Sequence, residues 1–203
     1  MSPSNPPPRS PVELRHASRL VNHGPTVLVS SAHGGRRNLM AAAWSMPVEF
    51  TPPRIAVVID RSTFTRELVR ESGMLALSVP CREQADLTWT VGSVSGREET
   101  EADKFVRYGI DAFDGPVLGL PLVAGCVAWM ECRVINEPHT EQAYDTFFVE
   151  VVSAQADPRV FAEGRWSLRE DNAALHTLHH LGAGTFAVAG SAMQARMLPQ
   201  RQP

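Results

Sequence analysis

Apolar and polar positions along this chain fall into short runs separated by turn-forming residues, and most of the runs predict strands. Pro25-Thr-Val-Leu-Val-Ser-Ser31 is short and β-branched, and His33-Gly-Gly-Arg36 supplies a glycine-containing turn. Leu39 to Ser45 reads as the return strand. After a proline-rich turn at Thr51-Pro52-Pro53, Arg54 to Asp60 is nearly all apolar, the pattern of a strand buried on both faces. Thr63 to Ser72 reads as a helix, with hydroxyl residues capping its start and Gly73 stopping it. Met74 to Val79 is another strand, ended by Pro80.

The segment from Cys81 to Gly109 breaks this β pattern. Leu87, Trp89 and Val91 suggest a short helix, Ser93 to Gly96 a loop, and Glu98 to Tyr108 a charged surface helix with Phe105 and Val106 on one side. Val117 to Pro121 reads as short and extended. Leu122 to Ile135 and Tyr144 to Ala154 are the longest strand candidates, joined by a loop holding Pro138 and His139. Strands outnumber helices and mostly neighbour one another in sequence. The expected fold is mainly β, an antiparallel barrel with short peripheral helices, rather than a doubly wound parallel sheet.

Composition narrows the function classes. A length of 203 residues allows a substantial core, and 43% apolar with 20% charged residues is ordinary for a globular protein. A net charge of -3 gives no electrostatic reason to expect nucleic acid or an anionic membrane as partner. Three cysteines, at 81, 126 and 132, do not make a disulfide framework, so a reducing, cytoplasmic compartment is expected. Cys126 and Cys132, if they sat in one straight strand, would share a face about 20 Å apart. No apolar run approaches the roughly 20 residues needed to span a bilayer. Residues 1–19 read as a disordered proline-rich arm without the apolar segment of a secretory signal, and residues 191–203 as a polar tail. The domain is expected to span residues 20–190.

The candidate chemistry concentrates in Asn38 to Met46 and Arg61 to Thr65. Asn-Leu-Met-Ala-Ala-Ala-Trp-Ser-Met is a run of small residues around a single Trp. Small residues let a flat ligand approach the backbone, and Trp44 offers a wall. Ser62, Thr63 and Thr65 at a helix start offer hydroxyl and N–H donors to an anion. An aromatic, phosphorylated cofactor would use all three. Taken alone, the same residues have plainer readings: Trp44 as core, Thr65 as a turn cap, Asn38 as a turn residue, Lys104 as a solvated helix lysine. There is no Gly-x-Gly-x-x-Gly and no phosphate loop, so a nicotinamide coenzyme would visit as a substrate rather than occupy a dedicated domain. No hydrolytic elbow or catalytic carboxylate pair is evident. His176, His179 and His180 include a pair at helical ligand spacing, but without an acidic or Cys partner they read as a surface or partly buried group and not as a metal site.

Several pieces together carry a family resemblance. They are Asn38 with Trp44 six residues on, Pro52-Pro53 before a strand, Thr65 in the next helix, and Ser72-Gly-Met-Leu-Ala-Leu-Ser-Val-Pro80. Ser95-Gly96-Arg97, Asp103-Lys104-Phe105 and Met130-Glu-Cys-Arg-Val134 follow. In this order and spacing the chain resembles the flavin reductase-like proteins, FMN-binding split β-barrels that include flavoredoxins. The resemblance implies non-covalent FMN, NADH or NADPH as co-substrate, and a homodimer with the cofactor near the subunit interface. Electrons would pass on to flavin, a partner protein, a metal complex or oxygen. It implies cofactor contacts at Asn38, Trp44, Ser45, Met46, Arg61, Ser62, Thr65, Lys104, Tyr144 and Phe186, with no catalytic acid or base. The chain departs from the pattern at Ala41 and Ala43, where relatives often carry hydroxyls, and at Tyr144, where they often carry His. A non-enzymatic electron carrier is the alternative. A haem-binding split barrel using His23, His33 or His139 is the third.

Overall fold

The computed structural model of the chain describes residues 8–97 and 103–198. In chain order its first half holds β1 (Ser10–Pro11), a 3-10 helix (Leu14–Leu20), β2 (Val27–His33), β3 (Arg36–Ala42), β4 (Ser45–Phe50) and β5 (Pro53–Val58). Then come α1 (Phe64–Ser72), β6 (Met74–Val79), α2 (Ala85–Ser93) and α3 (Lys104–Arg107). The second half holds β7 (Ala112–Asp114), β8 (Pro121–Val123), β9 (Ala128–Ile135), α4 (Pro138–Tyr144) and β10 (Thr146–Ala156). Two small hairpins close the chain, β11 (Phe161–Ala162) with β12 (Arg165–Trp166), and β13 (Leu178–Gly182) with β14 (Thr185–Val188).

The main sheet runs β3-β2-β6-β9-β10-β5-β4, with β1 added to β10, and its pairs are antiparallel. Its two edge strands, β3 and β4, are consecutive in the chain and only Ala43 and Trp44 separate them. The end of one edge therefore lies within three Cα steps of the start of the other, which curls the sheet into a barrel split between β3 and β4. Strand alternation divides the apolar residues between two cores. Val27, Val29, Leu75, Leu77 and Cys132 face the barrel interior. Leu28, Ala76 and Trp129 face outward, under Val91 of α2, Phe105 of α3 and the β7–β8 hairpin. The Trp129 indole N–H donates to the Val123 carbonyl at 2.7 Å, so the outer layer is pinned as well as packed.

Helix α1 forms where the sequence predicts it. The Thr63 hydroxyl accepts from the Arg66 N–H at its start, and Gly73 turns left-handed at its end, φ 67°. Other expectations need correction. β4 was not foreseen because Pro47 and Glu49 interrupt the apolar pattern; an edge strand with a bulge between those residues tolerates both. Leu122 to Ile135 is not one strand. β8 and β9 are separated by a turn at Gly125, φ 82°. Cys126 therefore lies in that turn and packs in the outer core while Cys132 faces the barrel interior. All three cysteines are buried free thiols, and burial pushes them up from their ordinary range. Residues 117–118 form a turn rather than extended chain.

Pro138 and His139 open helix α4 instead of a loop, which moves Tyr144 out of the following strand. Of the helix expected over Glu98 to Tyr108, residues 98–102 lie outside the described residues. The rest is α3, which buries Lys104 and Phe105 and exposes Val106, because neighbours on a helix point about 100° apart. Part of the arm expected to be disordered is ordered: Ser10 and Pro11 pair with β10, and the 3-10 helix Leu14–Leu20 buries Ala17 and Ser18. Among the described residues no helix is long and apolar enough to cross a membrane.

Candidate functional site

The start of α1, the end of α2, the middle of β3 and Lys104 converge on a cleft of about 220 Å³. Its walls are Asn38, Met40 and Ala41, the stretch from Ser62 to Thr65, and the stretch from Val91 to Gly96. The wall at Ser62 is set by a tight turn. Asp60 Oδ1 accepts from the Ser62 N–H at 2.8 Å and from its hydroxyl at 2.6 Å, and those two bonds hold the Asp60 carboxyl below its ordinary range. The Thr63 hydroxyl donates to the Asp60 carbonyl at 2.8 Å and caps α1. The first turn of α1, with its outward N–H groups, thus opens onto the cleft.

The floor is a set of cross-links. Asn38 Nδ2 donates to Thr65 Oγ1 at 2.9 Å, and Thr65 is fully buried. Thr65 therefore ties β3 to α1; its hydroxyl accepts from Asn38 and keeps one O–H to donate. Gly96 lies so close over Asn38 that a Cβ there would fall 2.4 Å from Asn38 Oδ1. Gly92 packs against Ala41, at 3.1 Å from a built Cβ to the Ala41 methyl. The small side chain at 41 thus serves the approach of α2 to β3. Ala41 also lines the cleft, so one small residue serves both the helix approach and the opening.

Lys104 is not a solvated lysine. It is 2% exposed, and its Nζ donates to the Leu39 and Val91 carbonyls at 2.8 Å each. Asp103 positions it by capping α3 through the Val106 N–H at 3.0 Å and pairing with Arg37 at 2.7 Å. The ammonium ties β3 to α2 beneath the cleft, where low polarizability strengthens its attraction for an anion above.

The structure brings Asn38, Ser62, Thr65 and Lys104 together and puts the other predicted contacts elsewhere. Arg61 lines a neighbouring cleft. Trp44 is 74% exposed rather than core, and Met46, Val48 and Phe50 continue an exposed apolar row along β4 while Ser45 alternates with it. Tyr144 is exposed at the end of α4, edge-on to His139 with ring centres 5.8 Å apart. Phe186 sits on β14, 5.3 Å from the ring of His180, which in turn lies over Trp89 at 6.3 Å. None of these lines the cleft in this chain. His176 is buried outside any helix, with Nδ1 at 2.7 Å from the Ala189 carbonyl and Nε2 at 2.9 Å from the Arg169 carbonyl. The helical spacing supposed for His176 and His180 does not exist, because β13 begins between them.

Sequence reasoning missed the segment Gly92-Ser-Val-Ser-Gly96 as a wall of the site. Its signal was present: two hydroxyl residues between glycines, spanning the end of a short helix and the loop that follows. The glycines let the loop lie against β3 and Asn38, and Ser93 and Ser95 line the opening.

Comparison with known proteins bears on this geometry. Residues 19–177 match the family of the flavin reductase like domain. Protein YddH of Escherichia coli (strain K12) is 57% identical over 188 residues, which cover 91% of this chain and 97% of that protein. Among solved structures, an FMN-binding domain of a flavin reductases-like enzyme from Shewanella baltica OS155 superposes with a TM-score of 0.89 at 41% identity. That match covers 95% of this chain and all, 100%, of that one. The flavoredoxin of Desulfovibrio vulgaris (Miyazaki F) shares the fold, with a TM-score of 0.68 at 23% identity over 85% of this chain and 90% of that one.

Proposed function

The chain belongs to the flavin reductase-like family, whose fold binds FMN, and from that premise we propose that it is an oxidoreductase that holds FMN non-covalently and reduces it with NADH or NADPH. The observation that carries the reading is the cleft at the start of α1, where a buried cation, a helix N-terminus and five hydroxyl residues, Ser62, Thr63, Thr65, Ser93 and Ser95, meet. The Ser62, Thr63 and Ser93 hydroxyls donate within the chain and keep lone pairs to accept from a polyol, while the first-turn N–H groups of α1 suit a phosphate. Asn38, Ser62, Thr65 and Lys104 would hold the cofactor, with Thr65 and Lys104 acting partly by fixing the walls.

FMN supplies the two-electron chemistry when bound. The chain's part is to bind, orient and leave access. Hydride transfer depends on alignment more than on an acid or base, which agrees with a site that offers fixed donors and no paired carboxylates. At about 220 Å³ the cleft is smaller than the roughly 300 Å³ at the low end for sites that enclose a whole ligand, so it suits one end of the cofactor. The remainder would lie toward the barrel's split edge, open to a visiting coenzyme. There the exposed row of Trp44, Met46, Val48 and Phe50 suits a second copy of the chain, so the active form is taken to be a homodimer. Anaerobic mixing with excess NADH or NADPH should bleach the visible absorbance of the FMN-loaded protein, and oxygen should restore it. If neither coenzyme bleaches it while a chemical reductant does, the reductase reading fails and an electron carrier takes its place.

A further inference from the structure

Beside the flavin cleft lies a second, of about 410 Å³, lined by Arg61, Arg66, Arg70 and Arg97 with Glu67 and Gln142. A chain of net charge -3 has gathered four guanidinium groups at one place. The carboxylates that reach them only partly offset this charge. Asp145 takes Arg66 at 2.7 Å and Arg61 at 3.2 Å. Glu67 takes Arg97 at 2.8 Å, and also shares its charge with Arg36 at 3.3 Å. Arg70 is exposed and makes no ion pair among the described residues. Among the described residues four guanidiniums meet three carboxylates, Asp145, Glu67 and the Asp60 that acts on Arg61 and Arg66, so a positive excess remains around Arg70, and a phosphate monoester carries close to two negative charges at neutral pH.

The lining identifies what the cleft recognises. It contains no aromatic or aliphatic wall for a base or a nicotinamide ring; Arg61, Arg70 and Arg97 bring forked donors suited to phosphate oxygens, while Arg66 is held by the Ile59 and Glu141 carbonyls and by Asp145 and contributes charge. Its position relates it to the flavin cleft. Ser62 lines that cleft, and its carbonyl accepts from Arg97 Nε at 3.3 Å in this one, so the two stand back to back across residues 61–66. The flavin cleft has its own cation in Lys104 and its own hydroxyls. The arginines therefore line a cleft of their own, separate from those donors and within a dinucleotide's reach of them.

We propose that the arginine cleft binds the adenosine 2′-phosphate of a 2′-phosphorylated nicotinamide coenzyme, so that NADPH rather than NADH is the reductant. The proposal rests on the reductase reading above, and the test separates the two. FMN-loaded protein is titrated by calorimetry at low salt with 2′,5′-ADP and with 5′-AMP, neither of which can transfer hydride. The 2′-phosphate should bring about ten- to a hundredfold tighter binding, the gain expected of charge-assisted bonds. Arg70→Gln with Arg97→Gln should abolish that preference and leave FMN affinity unchanged. Equal affinity for the two nucleotides, or a preference that survives the double substitution, overturns the proposal. A variant that loses FMN but not 2′,5′-ADP also overturns it, since the cleft would then serve the flavin phosphate. If 2′,5′-ADP binds as expected yet NADPH leaves the flavin oxidised, the site stands and the reductase reading falls.

Discussion

Acid should loosen this protein through one histidine beneath its C-terminal hairpin. His23 is largely buried, with its ring edge-on to Trp166 at 4.9 Å and to His179 at 5.6 Å. Its Nε2 meets Thr177 Oγ1 at 2.8 Å, while its Nδ1 is buried without a partner among the described residues. A proton on Nδ1 would add a charge and a donor where nothing accepts it. Burial first, and His179 second, lower its pKa from 6.5 to about 4. Above pH 6.5 the imidazole is neutral in both folded and unfolded chains, so the full stability is present. As pH falls below 6.5 the unfolded chain takes up a proton that the folded chain refuses until about pH 4. The stability lost across that window is about 3 kcal/mol at 1.36 kcal/mol per unit, a sizeable share of the 5–15 kcal/mol typical of a domain. His23→Gln keeps a hydrogen-bonding group toward Thr177 and cannot titrate. Urea unfolding followed by tryptophan fluorescence, repeated from pH 7.5 to 4, gives both stability curves. Their difference removes the carboxylates that both proteins share. The native protein should lose about 3 kcal/mol more than the variant between pH 6.5 and 4. Curves that stay parallel through this window would refute the reasoning, whatever the variant's stability at neutral pH.

Three further outcomes follow from named contacts. Lys104→Met strands the Leu39 and Val91 carbonyls and removes the buried charge, so urea unfolding should show a loss of about 1–3 kcal/mol, and fluorescence titration a weaker FMN affinity; unchanged FMN binding in folded variant would count against a cation acting from below the cleft. Gly96→Ala sets a methyl 2.4 Å from the Asn38 amide oxygen, so the loop must move, and FMN affinity should fall with a stability change of about 1–3 kcal/mol; a variant that binds and unfolds like the parent would show that the loop yields freely. Asp145→Asn keeps a residue that tolerates φ 53° but removes the charge facing mostly buried Arg66, so unfolding should come about 3 kcal/mol sooner, a loss that added salt should not reproduce in the parent if the pair is as shielded as the structure has it.

The chain's own pattern determined the elements whose causes are local. Thr63 and Gly73 bound α1 because a capping hydroxyl and a left-handed glycine act within a few residues of themselves. Met74 to Val79 reads as a strand because every second residue enters one core and Ala76 enters the other. The motifs around Asn38, Thr65 and Lys104 were enough to indicate the family and the antiparallel split barrel. Other features depend on contacts between distant segments, which no local pattern records. β4 exists because β5 gives an edge for it to pair with, despite Pro47 and Glu49. Lys104 looks like a surface residue in sequence and is buried where two carbonyls, 65 and 13 residues away, accept hydrogen bonds from its ammonium. Trp44 looks like core and is exposed because the barrel's split leaves its edge strand uncovered within the chain. The arginine cleft gathers Arg61, Arg66 and Arg70 from one segment and Arg97 from another, and only the packing of the α2 loop against α1 puts their charges on one cavity. Local periodicity is fixed by bonds between near neighbours; the placement of a charge, in water or in the core, is decided by what the folded chain sets around it.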